Sequence, residues 1–188
     1  MKLDLQTPRL ILRPLSHEDI DISIEMFTDP LVCQFVCDVM CEDEISEAMT
    51  KWVKRGAGGR IGIWCITRSG SGEKIGSVFI LPMPYHEDDT NYDHVVMDRM
   101  PPDKVELGFC LKRSAWGLGY ATEASKRLVK FAFEKTSLNQ LVASFCEENT
   151  PSIRVLEKCG FRDRGRMYCY GQDSPCYRIT REEWKAIT

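Results

Sequence analysis

The sequence predicts a mixed α/β fold, with helices alternating around one central sheet of about seven strands in a single domain spanning residues 1–188. Three observations predict it. Val105 to Leu111 is a short apolar run that passes through Gly117 and Gly119 into a helical pattern from Tyr120 to Lys135. Ile61 to Thr67 and Lys74 to Leu81 are strand-like runs joined by Ser69-Gly70-Ser71-Gly72, a hairpin connection. Gln140 to Cys146 returns as a strand after the long helix, which makes it parallel to the central strand through a crossover.

The remaining elements follow in order. Leu10 to Leu15 reads as a strand, and Ser16 as the N-cap of a helix running to Thr28, stopped by Asp29-Pro30. Cys33, Cys37 and Cys41 stand at i, i+4 and i+8, which places them on one helical face if a helix continues there; their spacing matches no common metal pattern. Glu44 to Arg55 is a second helical segment, ended by Gly56-Ala57-Gly58-Gly59. Residues 82–104 form a long loop with Pro82, Pro84, Pro101 and Pro102 outside any periodic pattern. It carries Glu87, Asp88, Asp89, Asp93, Asp98 and Asp103 against Arg99 and Lys104, a charge suited to attracting a cationic partner. His86 and His94 beside these acids suggest a metal less well than a solvated acidic loop. Toward the C-terminus, a helix from Ile153 to Lys158 has Thr150 as cap, Pro151 at its first position and Gly160 after its end. Strands at Arg164 to Tyr170 and Pro175 to Thr180 precede a final helical turn, Glu182 to Ala186.

Composition bounds the function. With 188 residues, a net charge of −3 and a pI near 5.7, the chain has no general electrostatic reason to bind nucleic acid or an anionic membrane. No signal peptide or membrane span is expected, and the compartment expected is the reduced cytoplasm. The nine cysteines include no CxxC pair, and Cys65, Cys110, Cys146 and Cys169 fall in strand-like runs where a thiol acts as a small apolar group.

The chemistry is expected at the glycine turn. A helix start presents unpaired N–H groups and the positive end of a dipole, so it can cradle a phosphate. The polar segment Asn149-Thr150-Pro151-Ser152 follows the next strand, at the corresponding strand end.

Three separated motifs carry a resemblance. Thr7-Pro8-Arg9-Leu10-Ile11-Leu12-Arg13-Pro14, Glu106-Leu107-Gly108-Phe109 with Trp116-Gly117-Leu118-Gly119-Tyr120-Ala121-Thr122-Glu123-Ala124, and Asn149-x-x-Ser152 to Gly160-Phe161 occur in that order. Together they are similar to GNAT-superfamily N-acetyltransferases, and most closely to the ribosomal-protein-alanine acetyltransferase-like branch. Trp116 stands where the common pattern has Gln or Arg, as is usual in that branch, and Ala121 occupies the last Gly/Ala position. The resemblance implies a mostly antiparallel sheet with helices on both faces, acetyl-CoA as co-substrate and no metal. It implies that the N–H groups of Gly117, Leu118, Gly119, Tyr120, Ala121 and Thr122 hold the pyrophosphate. It also implies that Phe109, Cys110 and Leu111 pair with the pantetheine and offer an N–H to the thioester carbonyl, and that Asn149 bonds the pantetheine arm. Arg154 and Lys158 are placed either toward the adenine-side phosphate or on a solvated helix face.

Acetyl transfer needs a neutral amine and a protonated leaving thiol. Glu106 is the candidate base, acting through water, with a structural ion pair as the competing reading. Ser152 is the candidate acid by the same resemblance, with a helix-terminus role open to it. No cysteine is paired with a histidine in sequence, and direct attack in a ternary complex is expected. Expected acceptors are primary amines: a protein N-terminus, an amino acid, a polyamine or an aminoglycoside, taken by a monomer or homodimer. A non-catalytic CoA-binding or interaction module on the same fold is the main alternative. A dinucleotide-binding protein is a lesser one, disfavoured by Thr122 at the third glycine position.

Overall fold

A computed structural model describes residues 3–102 and 104–188, so Met1, Lys2 and Asp103 of the acidic loop lie outside the described residues. The strands β1 (Leu5–Gln6), β2 (Leu10–Pro14), β3 (Gly62–Arg68), β4 (Lys74–Pro82), β5 (Val105–Leu111), β6 (Gln140–Ser144), β7 (Arg162–Cys169) and β8 (Gln172–Thr180) form one sheet. Its order is β1-β2-β3-β4-β5-β6-β8-β7, antiparallel except between β5 and β6. The eighth strand is β1, whose two residues are too few to show a period. A single parallel pair in an antiparallel sheet removes the dinucleotide-binding reading, which needs repeated parallel units.

The helices are α1 (Ile20–Phe27), α2 (Pro30–Cys33), α3 (Glu42–Trp52), α4 (Tyr120–Lys135), α5 (Thr150–Lys158) and α6 (Arg181–Ala186). α4 lies across β4 and β5 with α5 against it, and Trp64 of β3 meets Phe131 edge-on at 5.7 Å. Ala124, Leu128, Phe131 and Ala132 are buried on its sheet-facing stripe, and each full burial of a Leu or Phe contributes on the order of 2 kcal/mol. α1 and α3 cover the other face. Both faces of β3 and β4 are therefore covered, which is why these strands read as near-continuous apolar runs instead of alternating ones.

Two expectations are corrected here. α2 ends at Cys33, and the chain then turns through Val36 and Cys37, whose N–H groups both donate to the Cys33 carbonyl. Cys33, Cys37 and Cys41 thus share no continuous helical face: the Cys37 thiol stays beside that of the buried Cys33, while Cys41 stands apart as the cap of α3, and both Cys37 and Cys41 are exposed. Cys146 lies beyond β6, exposed, its thiol donating to Glu148 at 2.6 Å, so it is not a strand-core residue.

A buried ion cluster joins β2, β4 and the start of α1. Asp19 is fully buried, takes two hydrogen bonds from Arg13, one of them 2.7 Å, accepts from the Ser16 N–H at 3.0 Å, and lies 3.3 Å from Lys74. Burial raises its pKa, but the Arg13 and Ser16 hydrogen bonds outweigh that and hold it below the ordinary aspartate value. A depressed carboxylate adds stability that is full above its unfolded pKa and lost as pH falls through the folded one. Asp19→Ala should therefore cost about 3 kcal/mol at pH 7 in urea unfolding, because it leaves Arg13 without its carboxylate partner, while Lys74 keeps Asp21 at 2.6 Å. The difference from the native chain should shrink on acidification below the ordinary aspartate range.

Candidate active site

β5 and β6 part almost as soon as they meet. Their one registered pair is Glu106 with Val142, whereas β5 stays paired to β4 from Val105 to Leu111. The edge of β5 that faces β6 is thus left without a ladder partner beyond Glu106. A cavity of about 1040 Å³ opens along this gap, lined by Glu106 to Cys110, by Ser144, Asn149 and Ser152, and by Met26, Phe27 and Trp52 from α1 and α3. Gly108 lets the Phe79 ring lie over the strand: a Cβ there would come within 2.0 Å of that ring.

Glu106 stands at the fork. It is 4% exposed, its Oε2 accepts from the Tyr170 hydroxyl, and its Oε1 accepts from the Ser144 N–H at 3.3 Å. Burial pushes its carboxyl up to about 7, against the two hydrogen bonds and with the charge of Asp89. The ion pair considered as its structural role is absent among the described residues. A carboxyl near 7 in a cavity is half deprotonated at neutral pH, the condition a general base needs.

The glycine turn sits at the other end of β5. Gly117 and Gly119 have φ of +72° and +80°, and a Cβ at Gly117 would meet nothing within 4 Å. Gly119 is the N-cap of α4, so the N–H groups of Tyr120, Ala121 and Thr122 begin the helix there. The first sequence motif holds this turn in place. Arg9 donates to the Leu118 carbonyl at 3.0 Å and to Glu123 at 2.6 Å, Thr7 donates to Glu123 at 2.6 Å, and the Arg9 guanidinium lies 4.7 Å from the Tyr120 ring centre. Trp116 donates to the Leu111 carbonyl at 2.7 Å, tying the turn back to its strand.

The structure brings Glu106, Phe109, Cys110, Asn149 and Ser152 to the cavity wall. Leu111 is buried at the end of β5, and Leu118 is exposed in the turn. The cap of α5 is Asn149, whose Oδ1 accepts from the Ser152 N–H at 3.3 Å, and not Thr150 as expected; α5 begins at Thr150 itself. Arg154 and Lys158 are exposed on α5. Sequence reasoning missed Tyr170, which reaches Glu106 across 64 positions from the β7–β8 turn. It also missed Arg9 as the anchor of the turn. Among the described residues, no group of three His, Cys, Asp or Glu is placed to hold a metal ion. No helix among them is long and apolar enough to cross a membrane.

Comparisons with known proteins match this architecture. A family model described as "Acetyltransferase (GNAT) domain" covers residues 9–162. The FsC-acetyl coenzyme A-N(2)-transacetylase of Aspergillus fumigatus is 28% identical over 190 residues, spanning 96% of this chain and 77% of the relative. A solved GNAT-family acetyltransferase from Bacillus anthracis shares the fold with a TM-score of 0.73 at 22% identity, over 96% of this chain and 99% of the other. RimL, a ribosomal L7/L12 alpha-N-protein acetyltransferase solved with coenzyme A, shares it at 0.69 and 14% identity, over 94% and 97%. The matched span takes in the Arg9 anchor, the open edge of β5, the glycine turn and the cap of α5, and the chain belongs to the GNAT acetyltransferase family.

Proposed function

We propose that this chain is an acetyl-CoA-dependent N-acetyltransferase that moves an acetyl group to a primary amine by direct attack in a ternary complex. The observation that carries the reading is the buried Glu106 at the fork of β5 and β6, from which the open strand edge runs toward the N-terminus of α4. The residues present suit a CoA thioester: a free strand edge accepts an extended amide-bearing arm, and an N-terminus with an open glycine accepts phosphates. In this reading Gly117 to Thr122 hold the pyrophosphate, Phe109 to Leu111 hold the pantetheine, and Asn149 bonds the arm through the amide that its cap does not use. Acetyl-CoA supplies the activated acyl group. Glu106 takes the proton of the acceptor amine through water as the new C–N bond forms, and Ser152, half-buried on the cavity wall, gives one to the thiolate that leaves as the C–S bond breaks.

The acceptor is an amine of positive charge. Glu44, Glu47, Asp88, Asp89, Glu147 and Glu148 line the cavity against Lys51 and Arg166, and Arg166 is already paired with Glu147 and with Asp173 at 2.7 Å. That sign of lining attracts a protein N-terminus or a small cationic amine and repels acidic acceptors. The apolar wall of Phe27, Phe35, Val36 and Trp52 leaves room for a hydrocarbon body behind the amine.

Thiol release from acetyl-CoA, measured against peptides, amino acids, polyamines and aminoglycosides, tests the reading directly. Stabilisation of the chain by acetyl-CoA with no thiol release across that panel would favour a non-catalytic CoA-binding module instead. Glu106→Gln should lower kcat by roughly 100-fold with acetyl-CoA affinity little changed, and should abolish the rise of activity through pH 7. Gly119→Val should do the reverse: a β-branched residue at φ +80° distorts the turn, so the KM for acetyl-CoA should rise about tenfold with a smaller effect on kcat.

A further inference from the structure

The β7–β8 turn carries an oddity that its hairpin role does not explain. Tyr170 and Gly171 are its central residues, both with positive φ, +52° and +68°. Such turns favour Asn or Gly at the first position, because a bulky side chain seldom adopts that backbone region. The turn is nevertheless fastened: the Tyr170 N–H donates to the Pro84 carbonyl at 3.2 Å and the Gly171 N–H to the Tyr85 carbonyl at 2.9 Å. The result is to drive the Tyr170 ring inward onto the small cluster of Met83, Val142, Cys169 and Cys176, with its hydroxyl on Glu106.

We infer that Tyr170 is the positioning residue of the catalytic base, orienting the Glu106 carboxylate toward the cavity and setting the pH at which it accepts a proton. This rests on the reading of Glu106 as the base. The Ser144 N–H fixes one oxygen of Glu106 and the Tyr170 hydroxyl the other, so the carboxyl plane cannot swing within the fork. A hydroxyl donated to a carboxylate stabilises its charged form and opposes the effect of burial. The other groups around Glu106 do not take over this task. Asp89, from the loop after β4, raises its affinity for a proton; Cys169 and Cys176, from β7 and β8, are thiols that burial keeps protonated; Lys104 lies at the Met167 sulfur, 3.1 Å away. Tyr170 itself is held protonated by burial and by the facing carboxylate, so it remains a donor across the working range.

The test follows the Glu106 carboxyl itself in the full chain labelled with ¹³C-glutamate, its signal assigned by its loss in Glu106→Gln. The native midpoint should lie near 7. In Tyr170→Phe it should move up by about one unit, and activity toward the best amine of the panel should fall about five-fold at pH 7 and recover by pH 9. Placing 3,5-difluorotyrosine at position 170 keeps the size of the ring and makes its hydroxyl a stronger donor, so the midpoint should move down. A midpoint unmoved by both replacements would overturn the inference and leave Glu106 as the base. Full activity of Glu106→Gln would remove the base assignment, with opposite shifts in the two Tyr170 variants still supporting the pairing.

Discussion

The separation of β5 from β6 is the constraint on which the rest of the molecule depends. A parallel pair of buried strands ordinarily satisfies its backbone along its whole length, and here it does so only at Glu106 and Val142. The fork survives because each arm is secured elsewhere: β5 to β4 along all of its residues, and β6 to β8 from Gln140 to Ser144. α4 packs on β4 and β5 with its buried face and so holds that arm of the fork from behind. The fork thereby creates in one step the cavity, an unpaired strand edge, and a buried position for one carboxyl.

The placement of charge in the fold follows from the same division. Asp19 and Glu106 are both buried carboxyls, yet they are shifted in opposite directions. Asp19 has Arg13 and Lys74 against it and stays charged, so it serves as a strut between β2, β4 and α1. Glu106 has only neutral donors, and it remains able to exchange a proton near neutrality. A cation beside Glu106 would have made it a second strut. Its neutral surroundings leave it available for chemistry.

Much of this was legible in the sequence, and what was not has identifiable causes. β5 and α4 could be delimited to the residue because a strand buried on both faces is an unbroken apolar run and a packed helix shows its stripe. Glu106 was legible as a candidate from its place at the head of that run. Its partner Tyr170 was not, since a Tyr-Gly pair in a hairpin reports only the turn. The Arg9 anchor on Leu118 and Glu123 joins residues more than a hundred positions apart, and nothing in either segment alone requires the other. The cysteine periodicity misled because α2, started by Pro30 and capped by Asp29, stops after one turn, where the Met40 N–H returns to the Phe27 carbonyl at 3.0 Å. A spacing of four implies a common face only while the helix lasts.

The two outer edges of the sheet complete the picture. β1 is two residues long, while β7 exposes Arg162, Asp163, Arg164 and Arg166, is interrupted between Asp163 and Arg166, and has Arg164 paired with Glu183 and Arg166 with Asp173. Short, charged and irregular margins discourage another chain from adding a strand. The inner margin of β5 is apolar, regular and five residues long past Glu106. The sheet is therefore guarded at its two outer edges and left open at its centre, where the free margin of β5 lies along the cavity.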